Sequence, residues 1–179
     1  MWRRLRSLLS NASHGASSTR PKRPDERDSS ARYTRRIGQV TNADEVFDAW
    51  TSGELAAMLK ALKKKTNLID RHFLLMGIVT QTYKARKDPR MREICREISE
   101  RHIQEFDRIA PALKKDMDGV LPRVSTFQQY ATLLSEDNED ERAIEVCERA
   151  MSFRLTDGTQ SGFTGRIARI RKKVAGKKS

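Results

Sequence analysis

The chain has 179 residues, about the size of one domain, and its 36 Lys and Arg against 24 Asp and Glu give a formal net charge of +12. Only 6% of the residues are aromatic, so broad stacking surfaces are scarce. No run of about 18 apolar residues occurs, so the sequence predicts no transmembrane segment.

The positive charge lies at the two ends of the chain. Residues 1–36 contain 10 Lys and Arg against 3 acidic residues, and residues 166–179 contain 7 against none, whereas residues 37–165 contain 19 against 21. Basic ends can bind polyanions by releasing counterions, without a shaped site. The candidate polyanion-binding residues are Arg3, Arg4, Arg6, Arg166, Arg169, Arg171, Lys172 and Lys173. The alternative, that the ends only aid solubility, stays open.

Residues 2–10 have the pattern of a short, basic amphipathic helix. Its apolar face consists of Trp2, Leu5, Leu8 and Leu9, with arginines opposite. Such a helix can lie peripherally on an anionic membrane or dock on a partner. Residues 1–24 also lack acidic residues, which is typical of a mitochondrial transit peptide, and a frayed tail is a third interpretation.

The two cysteines, Cys95 and Cys147, are too few for a disulfide framework. Both fall in apolar helical patterns, where a free thiol behaves as a small apolar group. A reducing compartment fits this usage, and we predict a cytoplasmic protein, with the mitochondrial alternative if residues 1–24 are a transit peptide.

The chain divides into three parts by composition. Residues 11–36 are polar and rich in Ser, Arg, Pro and Asp, so residues 1–36 are predicted to be a basic, largely disordered segment. Helical periodicity begins near Thr41, where Asn42-x-x-Glu45 can form a capping box, and residues 37–165 are predicted to be a helical domain. Residues 166–179 are predicted to form a basic helix or tail. The last helix has an apolar face of Phe163, Ile167, Ile170 and Val174, so it is predicted to pack on the preceding pair at its start and then to project as a charged tail.

Inside the helical domain, local signals predict where helices begin and end. Asp70 is predicted to cap the most apolar helix, and Asp88-Pro89 to begin the next one, which runs to about Pro111. His102 is interpreted as a partly buried boundary residue, because the three histidines lack the spacing of metal ligands. Ser125 or Thr126 is predicted to cap the helix that follows.

One helical hairpin is clearer than the rest. Phe127-x-x-Tyr130-Ala131-x-x-Leu134 precedes an acidic loop, and Ala143, Cys147 and Ala150 follow it. These residues and spacings resemble the tetratricopeptide repeat. A weaker match lies upstream, in Leu75, Ile78, Val79 and Tyr83 followed by Met91, Cys95 and Ile98. The resemblance predicts an all-α, short and irregular stack of antiparallel helical hairpins; an irregular bundle is the alternative.

The resemblance also implies a function. Such repeats hold a protein or peptide partner on the face lined by their first helices, which here corresponds to Gln128, Thr132 and Ser135. We find no catalytic motif, and we expect no cofactor and no metal site. The sequence therefore predicts a non-catalytic scaffold or adaptor. The alternative is a nucleic-acid- or ribosome-associated protein that uses its basic ends.

Overall fold

The computed structural model describes residues 32–177, in which a two-stranded hairpin precedes seven helices. The strands are β1 (Tyr33–Arg36) and β2 (Gln39–Asn42). The helices are α1 (Glu45–Ser52), α2 (Leu55–Ala61), α3 (Leu68–Lys84), α4 (Pro89–Asp116), α5 (Ser125–Glu136), α6 (Asp140–Ser152) and α7 (Gly162–Lys177). The prediction of a mostly helical fold is confirmed. The predictions for residues 1–31, including the amphipathic helix, the transit peptide, the disordered segment and Arg3, Arg4 and Arg6, lie outside the described residues.

The helices pack in the order of the chain. Helix α1 packs on α2, α3 on α4, α5 on α6, and α6 on α7. Helix α3 also contacts α1 and α2, and α5 contacts both α3 and α4, so each pair rests on the pair before it. At 28 residues, α4 is about 42 Å long and is the longest helix in the described range.

The hairpin α5–α6 is held together by the residues that carry the repeat-like pattern. All of them are at most 2% exposed: Phe127, Tyr130, Ala131, Leu134, Ala143, Cys147 and Ala150. The small side chains let the two helix backbones approach, while Phe127 packs edge-on against Phe106 of α4 with ring centroids 5.3 Å apart. The apolar pattern therefore lies on the buried face, as the spacing predicts.

Helix starts follow the predictions in one case and differ in three. Asp88 caps α4 as predicted, accepting from the N–H of Met91 at 3.0 Å. Helix α1 is capped by Asp44 instead of Asn42, and α3 is capped by Asn67 instead of Asp70. In both cases the true cap is a neighbouring Asx residue, and the sequence pattern does not choose between two such neighbours. Neither Ser125 nor Thr126 caps α5, because the helix already begins at Ser125 and its N-cap residue, Val124, makes no side-chain hydrogen bond to the helix.

Helix α4 continues five residues past Pro111, where the sequence predicted its end. Proline removes one backbone donor and crowds the preceding turn, which normally breaks a helix. Here Ile109, Ala110 and Leu113 are all buried on the two sides of Pro111. Burial of this apolar face outweighs the lost hydrogen bond.

Strand β1 lies where the sequence predicted a disordered linker. The two strands are antiparallel and joined by Ile37-Gly38, with φ of 52° and 75°, as in a type I′ turn. A β-branched residue rarely adopts this conformation, so sequence rules give Ile37 no turn signal. The body compensates, because Ile37 packs against the core and its N–H donates to Asp116.

Asp70 joins the hairpin to the helices. Its carboxylate, 1% exposed, accepts from the Arg36 guanidinium at 2.5 and 3.2 Å and from Trp50 Nε1 at 3.0 Å. Asn67 also donates to its second oxygen. One carboxylate therefore links β1, α1 and the start of α3.

Two histidines meet in the core between α3 and α4. His72 Nδ1 lies 3.0 Å from His102 Nε2, and His102 Nδ1 lies 2.8 Å from Thr126 Oγ1. Both rings are 0% exposed, so the interpretation of His102 as a partly buried boundary residue is wrong. Burial lowers the pKa of His72 to about 4, and burial, with His72 and Arg71 nearby, lowers the pKa of His102 well below its ordinary value.

We predict that Asp70→Ala lowers the free energy of unfolding by about 3 kcal/mol, because it leaves the largely buried guanidinium of Arg36 and the indole N–H of Trp50 without their acceptor. Urea unfolding of the full-length chain measures this. The matched control is Asp107→Ala, which removes the exposed ion pair with Arg149 and is expected to cost less than about 1 kcal/mol. Equal losses in the two variants would contradict the anchoring role of Asp70.

We also predict that acid destabilises the protein through its buried histidines. Both stay neutral in the folded state, so their stabilising contribution is complete above pH 6.5 and falls as the pH drops toward 4. For His72 the loss reaches about 2 kcal/mol at pH 5. Comparing unfolding of the wild type and His72→Phe at pH 7.5 and 5 measures it. A variant with an unreduced pH dependence would show that His72 does not contribute.

Candidate binding groove between the fifth and seventh helices

One wall of the groove is the polar side of α5. Gln128, Thr132 and Ser135 lie on one side of the helix, away from the buried Phe127 and Leu134, and all three are half-buried. Thr132 and Ser135 line the groove. Gln128 lies beside it and accepts from Arg123 Nη2 at 2.8 Å. The structure thus brings two of the three predicted partner-binding residues into one cavity.

The other wall is α7. Phe163, Ile167 and Ile170 are buried at a spacing of four and three residues, so α7 lies along α6. This placement turns a row of cations toward α5: Arg166, Arg169, Lys173 and Lys177. The open groove between the two helices has a volume of about 450 Å³.

Arg166 closes the inner end of the groove. Its guanidinium, 16% exposed, donates to Thr132 Oγ1 at 2.9 Å and to Asp157 Oδ2 at 3.2 Å. Asp157 also accepts from the N–H and hydroxyl of Thr159 at 2.9 and 2.7 Å. Burial acts to raise the pKa of Asp157, but the bonds from Thr159 and Arg166 outweigh it and leave the pKa below its ordinary value.

Lys173 and Lys177 form the outer end. Lys173 Nζ lies 3.0 Å from Asp140 Oδ1 and 3.1 Å from Ser135 Oγ, and it also donates to the Ser135 carbonyl. Lys177 donates to Asn138 and lies 3.9 Å from Asp140 Oδ2. These contacts extend to the last described turn of α7, where the sequence predicted a projecting tail. Asp140, the first residue of α6, therefore forms a hydrogen-bonded ion pair with Lys173 and a longer ion pair with Lys177.

The groove keeps an excess of positive charge after these contacts. Arg166 is matched by Asp157, whereas Lys173 and Lys177 share the single carboxylate of Asp140. Arg169 is exposed and donates only to a neutral partner, Ser161 Oγ, at 3.1 Å among the described residues. Cations beside half-buried hydroxyls can bind carboxylates or phosphates.

Within the described chain, Glu136 is the one acidic residue that lines the groove. Its carboxylate is paired with two arginines that do not line the groove. Arg86 donates to it from the α3–α4 loop at 2.9 Å, and Arg92 from α4 at 3.2 Å. The hydrogen bond from Arg86 is the main reason that the pKa of Glu136 lies below its ordinary value. Next to it, Asp137 is paired with Arg92 at 2.5 Å and Arg96 at 2.6 Å. This network fixes the α5–α6 loop at the outer end of the groove.

The predicted polyanion-binding residues separate into two sets. Arg166, Arg169 and Lys173 line the groove, whereas Arg171 and Lys172 are exposed on other sides of α7. The closest acidic atom to Arg171 among the described residues is Glu148 Oε1, at 4.0 Å from Nη2. The candidate residues did not include Lys177, although its spacing of four from Lys173 placed it on the same helix face.

Residues 32–177 contain no group of three or more His, Cys, Asp or Glu side chains that could hold a metal ion. Over the same range, none of the helices combines the length and the apolar character needed to cross a bilayer. In comparisons with known proteins, no family model matches the chain, and neither a characterised protein nor a solved structure is significantly similar to it.

Proposed function

We propose that the protein is a non-catalytic helical adaptor that binds an extended, acidic segment of a partner protein in the α5–α7 groove. The observation that carries this proposal is the meeting of α5 hydroxyls with four α7 cations in a cavity of about 450 Å³. The partner's carboxylates would contact Arg169, Lys173 and Lys177. The hydroxyls of Thr132 and Ser135 donate to the Gln128 carbonyl and to Asp140, so they would act toward the partner's backbone as acceptors of its N–H groups.

The packing order of the helices supports a repeat-like arrangement for this adaptor. In the proposed stack, α3–α4 and α5–α6 are successive hairpins and α7 takes the place of the next first helix. Helix α5 contacts both helices of the pair before it, as a first helix in such a stack would, whereas α7 packs mainly on α6. On this interpretation the groove lies between two first helices, where the resemblance places peptide ligands.

A second candidate function is binding of nucleic acid through the outer side of α7. The exposed position of Arg171 and Lys172, with no acidic atom closer than 4.0 Å to Arg171 in the described chain, favours it. Cations free of strong internal partners release counterions when they meet a phosphate backbone. This surface is separate from the groove, so the two functions can be tested independently.

We predict that the double variant Arg169→Glu/Lys177→Glu weakens binding of a fluorescein-labelled poly-glutamate peptide about tenfold or more, because two attractive contacts become repulsive. Fluorescence anisotropy of the full-length protein at 0.15 M salt measures the change. Both residues line the groove, and neither has its side chain in the core.

The matched control for this test is Lys172→Glu, on the same helix but outside the groove. It is expected to change binding less than about twofold, since exposed charges farther apart than about 8 Å are screened at this salt. If Lys172→Glu weakens binding as much, net charge and not the groove binds the peptide. If the wild type binds no poly-glutamate, the proposal that the groove binds acidic segments is wrong.

For the second candidate, we predict that Arg171→Ala/Lys172→Ala reduces the slope of log K against log salt for duplex DNA by about 2, since each lost phosphate contact removes about 0.9. This double substitution is a more specific test than deletion of residues 166–179, because the deletion would also remove the buried Ile167 and Ile170. An unchanged slope, or no binding by the wild type at low salt, would exclude this surface as a nucleic-acid site.

A further inference from the structure

Strand β2 presents an unpaired edge in the described structure. Ala43 donates to the Arg32 carbonyl at 2.8 Å, so the pair Arg32–Ala43 is hydrogen-bonded. Hydrogen-bonded and non-hydrogen-bonded pairs alternate along an antiparallel ladder, so Thr34–Thr41 is hydrogen-bonded and Arg35–Val40 is not. The backbone N–H and C=O of Val40 and Asn42 therefore point outward.

The chemistry of this edge is unusual for a protein with an excess of positive charge. All four residues of Gln39–Asn42 are exposed, and none is charged. Val40 is 64% exposed and Tyr33 57%, and both lie on the same face of the hairpin. Exposed edges in soluble proteins are usually protected by Lys, Pro or a bulge, and β2 has none of these.

We propose that β2 pairs with β2 of a second copy of this chain, making a four-stranded antiparallel sheet across a two-fold axis. The backbone N–H and C=O groups of Val40 and Asn42 that point away from β1 determine which residues pair across the axis. Val40 would exchange both backbone bonds with Asn42 of the partner subunit, and Asn42 with Val40 of the partner subunit, giving four new hydrogen bonds. Thr41 then faces Thr41 of the partner subunit on the axis.

The side chains are compatible with this register on both faces of the sheet. On one face, Thr34 and Thr41 continue into the same two threonines of the partner subunit, and directly opposed threonines stabilise antiparallel strands. On the other face, Val40 lies between Arg35 of its own chain and Asn42 of the partner subunit. No two arginines are therefore directly opposed. The neutral edge lets two copies meet without a local charge clash, which is why a second copy suits it.

Contacts with the helices already order the hairpin before it pairs. An isolated two-stranded hairpin is marginally stable in water. Here Arg36 is fixed by Asp70 and the turn residue Ile37 by Asp116, so the edge needs little ordering when it pairs. Strands of four residues bury little surface, so the dimer is weak and requires a high protein concentration. Salt strengthens it, because the net charge of +12 repels between copies.

The proposal is tested by cross-linking full-length Thr41→Cys under oxidising conditions. A non-hydrogen-bonded pair on the axis has Cα atoms about 4.5 Å apart, within the range of a disulfide. We expect most of the protein to form a covalent dimer at high concentration, and the native Cys95 and Cys147 to stay out of the reaction because both are buried. The matched control is Gln39→Cys, on the same strand and equally exposed, whose two copies would lie about 13 Å apart.

A second variant tests the backbone bonds themselves. Val40→Pro removes a donor that points outward and leaves the internal ladder of the hairpin intact. In sedimentation equilibrium, the wild type is expected to shift from monomer to dimer with concentration, and Val40→Pro to stay monomeric with an unchanged unfolding midpoint. The proposal is overturned if Thr41→Cys cross-links no more than Gln39→Cys, or if Val40→Pro self-associates like the wild type.

Discussion

The buried carboxylate of Asp70 is the contact on which the order of the N-terminal half depends. It accepts hydrogen bonds from a strand, from α1 and from the residue that caps α3, so three segments far apart in sequence share one acceptor. A buried anion costs several kcal/mol unless it is fully hydrogen-bonded, and each donor here also needs this acceptor. The arrangement is therefore cooperative. Without it, the hairpin would keep the packing of Ile37, its bond to Asp116 and the more exposed contact between Arg32 and Asp48.

The position of α7 has a comparable effect on the C-terminal half. The sequence suggested two separate surfaces, a polar face on α5 and a basic tail. Burial of Phe163, Ile167 and Ile170 places α7 along the body, and the two surfaces become the walls of one groove. The apolar face of α7 thus decides what its basic face can do. The cations are divided between the interior of the groove and the outer solvent, which gives the helix two chemically different sides.

The sequence predicted well whatever depends on local spacing. The buried face of α5–α6 followed from the positions of Phe127, Ala131 and Ala143, and the start of α4 followed from Asp88-Pro89. It failed where a distant residue decides the outcome. Ile37 adopts a left-handed turn because Asp116, far along the chain, accepts from its N–H. His72 and His102 meet because α3 and α4 pack, and a lone histidine in a helical pattern gives no sign of that. The sequence predicted the two walls of the groove separately for the same reason, since no local pattern showed that cations of α7 reach the hydroxyls of α5.

The carboxylate of Asp140 also bears on how the groove would work as a receptor. Lys173 and Lys177 are already paired with an internal anion at the start of α6, which is itself a favourable place for negative charge. If an acidic segment binds there as proposed, its carboxylate would replace that of Asp140 beside the lysines. The net binding free energy would then be only the difference between the two interactions. Such a receptor is self-occupied in the absence of its ligand. Its complexes would form and dissociate readily, and tight binding would require a ligand that reaches Arg169 as well, the cation with no internal anion in the described chain.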